Sequence, residues 1–282
     1  MYLVTGSTGN IGRALVSVLL EQGHQVRALV RDATRARGQL PAEAEIAVGD
    51  LNDGQSVAVA SRGVEGVFHL QATPGVSQTQ VVIDAARSAD VRKIVALTSM
   101  GAILKPAPII GADFVAREEL LRHSGLDVTY VRPGNLMSNA LGWANGIRSN
   151  GRVVDPVGEG RLASVDTDDV ARVAAVALTE PGHVSHGYLL TGPESLTSRE
   201  QVAILAEVLG STIEFEDVTP EQIAVQNAAN GMPRESVDAL LNLQEMFRAG
   251  RASMITDDVY NVTGIAANTF RDWCIRNAGA FA

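Results

Sequence analysis

The sequence predicts an α/β fold, a doubly wound parallel sheet with a smaller C-terminal α/β part. Three observations predict it. Short β-prone segments alternate with helical patterns through the first half, the rhythm of a parallel sheet covered on both faces. Glycines at 6, 9 and 12 lie between the first such segment and an amphipathic helix. The 282 residues are 46% hydrophobic but only 4% aromatic, enough for one large core built from aliphatic side chains.

The elements follow in order. Tyr2–Thr5 is a short strand that runs straight into glycine. Asn10–Glu21 carries Ile11, Leu15, Val18 and Leu19 at helical spacing, and Gly23 stands where that helix stops. Gln25–Val30, Glu45–Val48, Val64–Leu70, Arg92–Thr98 and Val128–Val131 read as the next strands, with helices around Ser56–Ser61, Val76–Ser88 and Asp113–His123. The crossovers between them are expected to be right-handed. After Pro133 the rhythm loosens. Asp155–Gly160 is a Gly/Pro-rich loop, and Asp168–Leu178, Thr197–Leu209, Thr219–Asn230, Glu235–Phe247 and Thr269–Asn277 read as helices. Tyr188–Thr191 and Ile213–Phe215 are short strands. No repeat or long linker separates the halves, so the second half packs onto the first. The expected division is a nucleotide-binding core over 1–135. Residues 136–282 mainly cap the cleft and return some elements to the core.

Composition excludes several function classes. Lys and Arg number 23 against 32 Asp and Glu, a net charge of −9, which repels phosphate backbones and argues against direct nucleic-acid binding. The one cysteine, Cys274, leaves no internal disulfide or cysteine-based metal cluster and reads as a small buried residue. Residue 2 already begins a strand, so nothing resembles a signal peptide, and no apolar run approaches the ~20 residues that span a bilayer. The expectation is a soluble cytoplasmic protein without membrane contact.

The run Tyr2-Leu-Val-Thr-Gly-Ser-Thr-Gly-Asn-Ile-Gly12 carries the chemistry. Gly6 allows the sharp turn out of the strand, Gly9 lets a pyrophosphate approach the backbone, and Gly12 lets the helix pack closely on the sheet. Thr8 and the N–H groups near Asn10 and Ile11 then face a phosphate at the helix N-terminus.

The spacing Gly-x-x-Gly-x-x-Gly resembles the short-chain dehydrogenase/reductase superfamily in its extended and atypical branches. Gly49-Asp50-Leu51 is similar to the segment where such proteins hold the adenine, and Leu70-Gln71-Ala72-Thr73-Pro74 to the one beside the cofactor ribose. Leu97-Thr98-Ser99-Met100 matches the end of the fifth strand. Ser124–Gly134, with Pro133, resembles the entry to the sixth strand and the loop after it. Val165–Ala171 and Tyr188–Pro193 resemble later segments of the NmrA-like group. The resemblance spans nearly the whole chain. It implies a Rossmann fold and an NAD(P)-binding site formed by these residues.

The end of the second strand discriminates between cofactors. Val30 stands at the position of the usual acid and Arg31 follows it, which favours NADP(H) while leaving NAD(H) open. Arg35 or Arg37 adds to the positive charge, and Asp32 is the competing feature, since it can turn inward to bind a ribose hydroxyl.

The family's catalytic pair is missing. Its tyrosine acid is assisted by a lysine four residues later, yet here the tyrosines are 2, 130, 188 and 260 and the lysines only 93 and 105. Counting back from Ser124-Gly125, the two positions fall near Ile110 and Phe114. The family's serine falls at Ser99 or Met100. Carbonyl–alcohol chemistry by the usual route is therefore disfavoured.

The resemblance to the NmrA-like group then implies two readings. One is an NADPH-dependent oxidoreductase that passes hydride to a quinone or similar conjugated aromatic, or tailors an aromatic polyketide. The other is a redox sensor acting through a protein partner. The longer C-terminal part favours the enzyme. In such proteins the loop with Asn135, Leu136, Met137 and Asn139 lies over the nicotinamide.

Met100, Phe114, Asn135, Leu136 and Trp143 are the expected substrate-cleft residues, with core packing the competing role for Phe114 and Trp143. Asp113 and Arg117 can replace the lost acid or form a solvated helix face, the latter being preferred. His183 and His186 read as a solvated loop, and Asp166, Asp168 and Asp169 as a helix cap, so no metal is expected. A homodimer is left open.

Overall fold

The computed structural model describes residues 1–282. Seven strands form one parallel sheet: β1 (Tyr2–Val4), β2 (Val26–Val30), β3 (Glu45–Val48), β4 (Gly66–His69), β5 (Lys93–Leu97), β6 (Asp127–Pro133) and β9 (Gly187–Leu190), in the order β3-β2-β1-β4-β5-β6-β9. The sequence direction reverses between β1 and β4, the switch point where such sheets open a crevice at their carboxyl ends. The central strands are apolar almost throughout because both faces are covered. Leu3, Val4, Phe68, Ile94, Val95 and Val131 are fully buried.

Helices α1 (Asn10–Glu21), α2 (Ala33–Arg37), α3 (Gly54–Ala60), α4 (Ser77–Ser88) and α5 (Ile109–Arg122) connect the first six strands. α6 (Ala144–Asn150) leads to β7 (Arg152–Asp155) and β8 (Arg161–Leu162), and α7 (Thr167–Thr179) then crosses to β9. β10 (Leu196–Thr197), α8 (Ser198–Leu209), β11 (Glu214–Asp217), α9 (Pro220–Ala229), α10 (Arg234–Arg248), α11 (Asp258–Thr263) and α12 (Phe270–Asn277) complete the chain. Leu15, Val16 and Leu19 of α1 and Val170, Val173 and Ala174 of α7 join one core cluster. Each fully buried Leu or Val there contributes about 1.5–3 kcal/mol relative to exposure.

The strands and long helices fall where periodicity places them, within a few residues. α5 starts at Ile109 rather than Asp113, because Pro108 supplies its N-cap with a fixed φ of −66°. Pairings of the small sheets, β7 with β11 and β8 with β10, join segments too short to show a period. α2, α6 and α11 were likewise not legible. No helix is long and apolar enough to cross a membrane.

Candidate active site

The site is built from the β1–α1 turn outward. Gly6 has φ +62°, open to glycine at little cost, and a Cβ there would lie 2.8 Å from Leu70 Cδ2. A Cβ on Gly12 would lie 2.1 Å from the Gly6 carbonyl oxygen, so the helix can start this close to the strand only with glycine. Gly9 is the N-cap of α1 and no side chain caps it. The first helical hydrogen bond is Arg13 N–H to Gly9 C=O, so the amides of Asn10, Ile11 and Gly12 are donors presented to an anion. Two hydroxyls fix this turn. Ser7 Oγ donates to Leu29 C=O at 3.0 Å, and Thr5 Oγ1 both donates to Leu70 C=O and accepts from its N–H.

A cavity of about 240 Å³ opens beside this turn at the ends of β1 to β4. Gly6, Thr8, Arg31, Asp50, Leu51, Ala72 and Thr73, all expected cofactor residues, line it. Asn52 and Gln78 line it as well and were not anticipated; Gln78 Nε2 donates to Asn52 Oδ1 at 3.0 Å. An adjoining hollow is lined by Thr8, Arg31, Asp32, Arg35 and Gln39, among others. Asp32 reaches this hollow beside Arg31. Its Oδ1 caps α2, accepting from the amides of Thr34 at 2.9 Å and Arg35 at 3.1 Å. The cap engages one carboxylate oxygen of Asp32, and exposed Arg31 stands beside it at the hollow.

A second cavity, of about 320 Å³, lies at the ends of β4, β5 and β6 and shares Leu70 with the first. Ile11, Gln71, Thr98, Ser99 and Pro133, all expected cofactor residues, line this cavity and not the first. Met100, Phe114, Asn135 and Leu136 line it as expected for the substrate cleft. Trp143 does not. Its ring packs with the cluster of Phe270 and Trp273, and its Nε1 donates to Asp155 Oδ2 at 3.3 Å, so core packing won at that position. The roof is α10, through Leu243, Met246 and Phe247, which sequence reasoning missed.

Ile110 and Phe114, at the places of the family's tyrosine and lysine, both face this cavity, and none of the four tyrosines does. Ser99 Oγ accepts from Gly101 N–H at 3.1 Å, which leaves its own proton free to donate. Asn135 Nδ2 donates to Ser164 Oγ at 2.8 Å and Asn135 Oδ1 accepts from Asn139 Nδ2 at 2.7 Å, so the second N–H of Asn139 is free.

The loop 71–75 separates the two cavities, and Arg117 holds it. Nε donates to Gly75 C=O at 2.9 Å, Nη1 to Gln71 C=O at 3.4 Å and Nη2 to Thr73 C=O at 2.5 Å. Arg117 is thus buried, not part of a solvated helix face, and burial lowers its pKa against the opposing charge of Asp113. The Gln71 amide is also bound, Nε2 to the carbonyls of Thr73 and Gly75 and Oε1 to Thr79 Oγ1. Thr79 has one proton and gives it to Gln71, so its oxygen accepts from His69 Nε2–H at 3.1 Å. Buried His69 is held neutral, its pKa pushed down to about 4 by desolvation and by the Arg117 charge. Thr98 Oγ1 donates to Glu118 Oε1 at 2.7 Å, and Arg132 pairs with both Glu118 oxygens.

The other candidates lie elsewhere. Asp166 caps α7, and burial raises the carboxyls of Asp168 and Asp169 above the usual range, Asp169 to about 6. His183 Nδ1 is bonded to Tyr188 Oη at 2.7 Å. Cys274 is buried, its thiol pushed up to about 12 by desolvation. No group of three or more His, Cys, Asp or Glu gathers where it could hold a metal.

These features fit a dinucleotide. The cradle at Gly6 and Gly12 cannot admit a methyl group, the uncapped α1 amides suit a pyrophosphate, and the two cavities meet at Leu70 on either side of it.

Comparison with known proteins agrees. The model of an NAD(P)H-binding family matches residues 6–181. The chain is 38% identical, over all of its length and 99% of the other, to a (4-alkanoyl-5-oxo-2,5-dihydrofuran-3-yl)methyl phosphate reductase of Streptomyces griseus. It is 35% identical, with the same coverage, to an NAD(P)H azoreductase of Xenophilus azovorans. An NADPH-dependent quinone oxidoreductase of Escherichia coli, solved with NADPH, shares the fold with a TM-score of 0.86 over 98% of this chain and 99% of that one, at 23% identity. The chain therefore belongs to the NAD(P)H-binding oxidoreductases of the atypical, NmrA-like short-chain dehydrogenase/reductase group.

Proposed function

We propose that the chain reduces a quinone or a similarly conjugated acceptor, seated in the second cavity, at the expense of NADPH. The observation that carries this reading is the cavity itself. It adjoins the nucleotide cleft at the strand ends yet presents Ile110 and Phe114 where a tyrosine–lysine pair would stand. An acceptor that needs no strong acid suits such a site, because conjugation stabilises the oxygen that gains electrons.

The two-electron balance is one acceptor, one NADPH and one proton to one reduced acceptor and one NADP⁺. NADPH supplies the hydride. The protein's own groups position the partners. Arg31, with Arg35 near it, holds the 2′-phosphate, the α1 amides hold the pyrophosphate, and loop 71–75 and Pro133 border the nicotinamide side. Ser99 O–H and the second N–H groups of Asn135 and Asn139 are donors available to an acceptor oxygen, and the proton comes from water. In this reading residues 1–135 hold the cofactor and 136–282 chiefly cap the cleft. Two of the relatives reported above, one named an NAD(P)H azoreductase and the other a dihydrofuranyl-methyl phosphate reductase, support a reductase reading.

The test is steady-state oxidation of NADPH and NADH against a panel of small quinones and azo compounds, with cofactor binding followed by fluorescence. Turnover with NADPH ahead of NADH is expected. Tight NADPH binding without turnover of any acceptor would contradict the reading.

A further inference from the structure

We infer that the acceptor cavity selects uncharged acceptors and turns away those that carry a sulfonate, phosphate or carboxylate. The inference rests on the second cavity being the acceptor site.

Nineteen residues line that cavity, and none is Asp, Glu, Lys, Arg or His. Its polar side chains are Gln71, Thr98, Ser99, Asn135 and Asn139. Most of that polarity is already engaged. The Gln71 amide is bonded at both ends, Thr98 donates to Glu118, and Asn135 is bonded to Ser164 and Asn139. Ser99 O–H and one N–H each of Asn135 and Asn139 remain, neutral donors suited to a carbonyl oxygen rather than to a full negative charge.

None of the nearby guanidiniums lines the cavity. Arg117 donates to three carbonyls of loop 71–75, Arg132 pairs with Glu118, and Arg248 pairs with Asp217. Arg251, beside the roof helix, donates to Pro106 C=O at 2.6 Å. An anion placed under Leu243, Met246 and Phe247 would lose hydration with no cation in contact, since Arg117 and Arg251 keep their charge but direct their donors to backbone carbonyls, and an unpaired charge costs several kcal/mol in a protein interior. The cofactor phosphates in the adjoining cleft add repulsion. The Streptomyces relative is named for a phosphate ester, and this cavity offers no partner for that group, so 38% identity does not carry that substrate over.

A matched pair tests this: 1,4-naphthoquinone and 1,4-naphthoquinone-2-sulfonate, each with NADPH. The sulfonate withdraws electrons, so intrinsic reactivity favours the charged member, and a preference for the neutral one reports the site. We expect kcat/KM for the sulfonate to be at least ~30-fold lower, the penalty of an unpaired buried charge. A binding readout accompanies it. 2-Naphthol, which cannot accept hydride, should raise the melting temperature of NADPH-loaded protein, and naphthalene-2-sulfonate at equal concentration should not. Ile110→Arg places a cation at the half-open rim of the cavity and should narrow the ratio by raising turnover of the sulfonate. Equal kcat/KM for the pair, or a faster sulfonate, overturns the inference and leaves the acceptor reading standing. Failure of both quinones to bind or react overturns the acceptor reading and the inference with it.

Discussion

Arg117, in the middle of α5, donates from Nε to the carbonyl oxygen of Gly75 at 2.9 Å, across 42 residues of sequence. One guanidinium thereby fastens the helix beneath the acceptor cavity to the loop that divides it from the nucleotide cleft. Arg117→Met keeps an unbranched apolar side chain there and removes every donor, with the guanidinium that lies 5.0 Å from the centre of the Phe114 ring. It should raise KM for NADPH about tenfold and cost about 1–3 kcal/mol in urea unfolding, the value of a charged hydrogen-bond donor lost. Arg117→Lys, with one compact ammonium, should recover only part of both. Unchanged KM for NADPH would show that the clamp is unrelated to cofactor binding.

Arg31 and Asp32 are neighbours with separate duties. Arg31→Asp should weaken NADPH binding about 10- to 100-fold, as expected for one charge-assisted contact worth about 1.5–3 kcal/mol, and NADH binding far less. Asp32→Asn should leave the NADPH/NADH ratio unchanged, since asparagine caps a helix as well as aspartate does. Fluorescence titration with both cofactors checks this. Equal losses for NADPH and NADH in Arg31→Asp would remove Arg31 from the 2′-phosphate site.

Gly9 and Gly12 should fail differently. The methyl of Gly12→Ala would meet the Gly6 carbonyl oxygen at 2.1 Å and its carbon at 2.7 Å, backbone that cannot yield, so little folded protein is expected. In Gly9→Ala the methyl lies 3.3 Å from the Gly6 oxygen, with an ordinary φ of −81°. That variant should fold, as read by circular dichroism, but bind NADPH more weakly because the methyl stands over the phosphate approach.

Buried His69 gives stability a defined pH dependence. Its pKa of about 4 in the fold compares with 6.5 in the unfolded chain, so between these values the unfolded chain binds the extra proton. Stability from neutral His69 is full above 6.5 and falls as pH drops towards 4. Asp169 opposes this. Its folded pKa of about 6 lies above the unfolded 3.8, so its contribution grows as pH falls through that window. His69→Gln isolates the first effect. From pH 7 to pH 5 the wild type should lose about 2 kcal/mol more than the variant in urea unfolding. Parallel curves would show that His69 takes up its proton in the folded state.

What the sequence showed, and what it hid, follows from the range of the interactions. The β1–α1 turn was legible because Gly6, Gly9, Gly12 and the Ile11/Leu15/Leu19 face all lie within one short stretch. Counting along a single helix put Ile110 and Phe114 at the cavity for the same reason. Arg117 was not legible, since beside Glu118 and Glu119 it reads as a solvated face, and its acceptors are backbone carbonyls of a distant loop. The amphipathic pattern of α10 was visible, but only tertiary packing brings Leu243, Met246 and Phe247 over the cavity. Trp143 follows the cleft loop closely in sequence, yet a packing site beside Phe270 and Trp273 draws it away.

The proposed reaction passes two electrons from NADPH to a conjugated acceptor without a tyrosine acid. The most direct measurement is an anaerobic single turnover, in which protein loaded with one equivalent of NADPH is mixed with one equivalent of an uncharged quinone. We predict a stoichiometric loss of nicotinamide absorbance with appearance of hydroquinone, at a rate that changes little between pH 6 and pH 8 because no ionisable side chain lines the cavity. NADPH that stays bound and unoxidised across a panel of such acceptors would contradict the account and assign the nucleotide a sensing role instead.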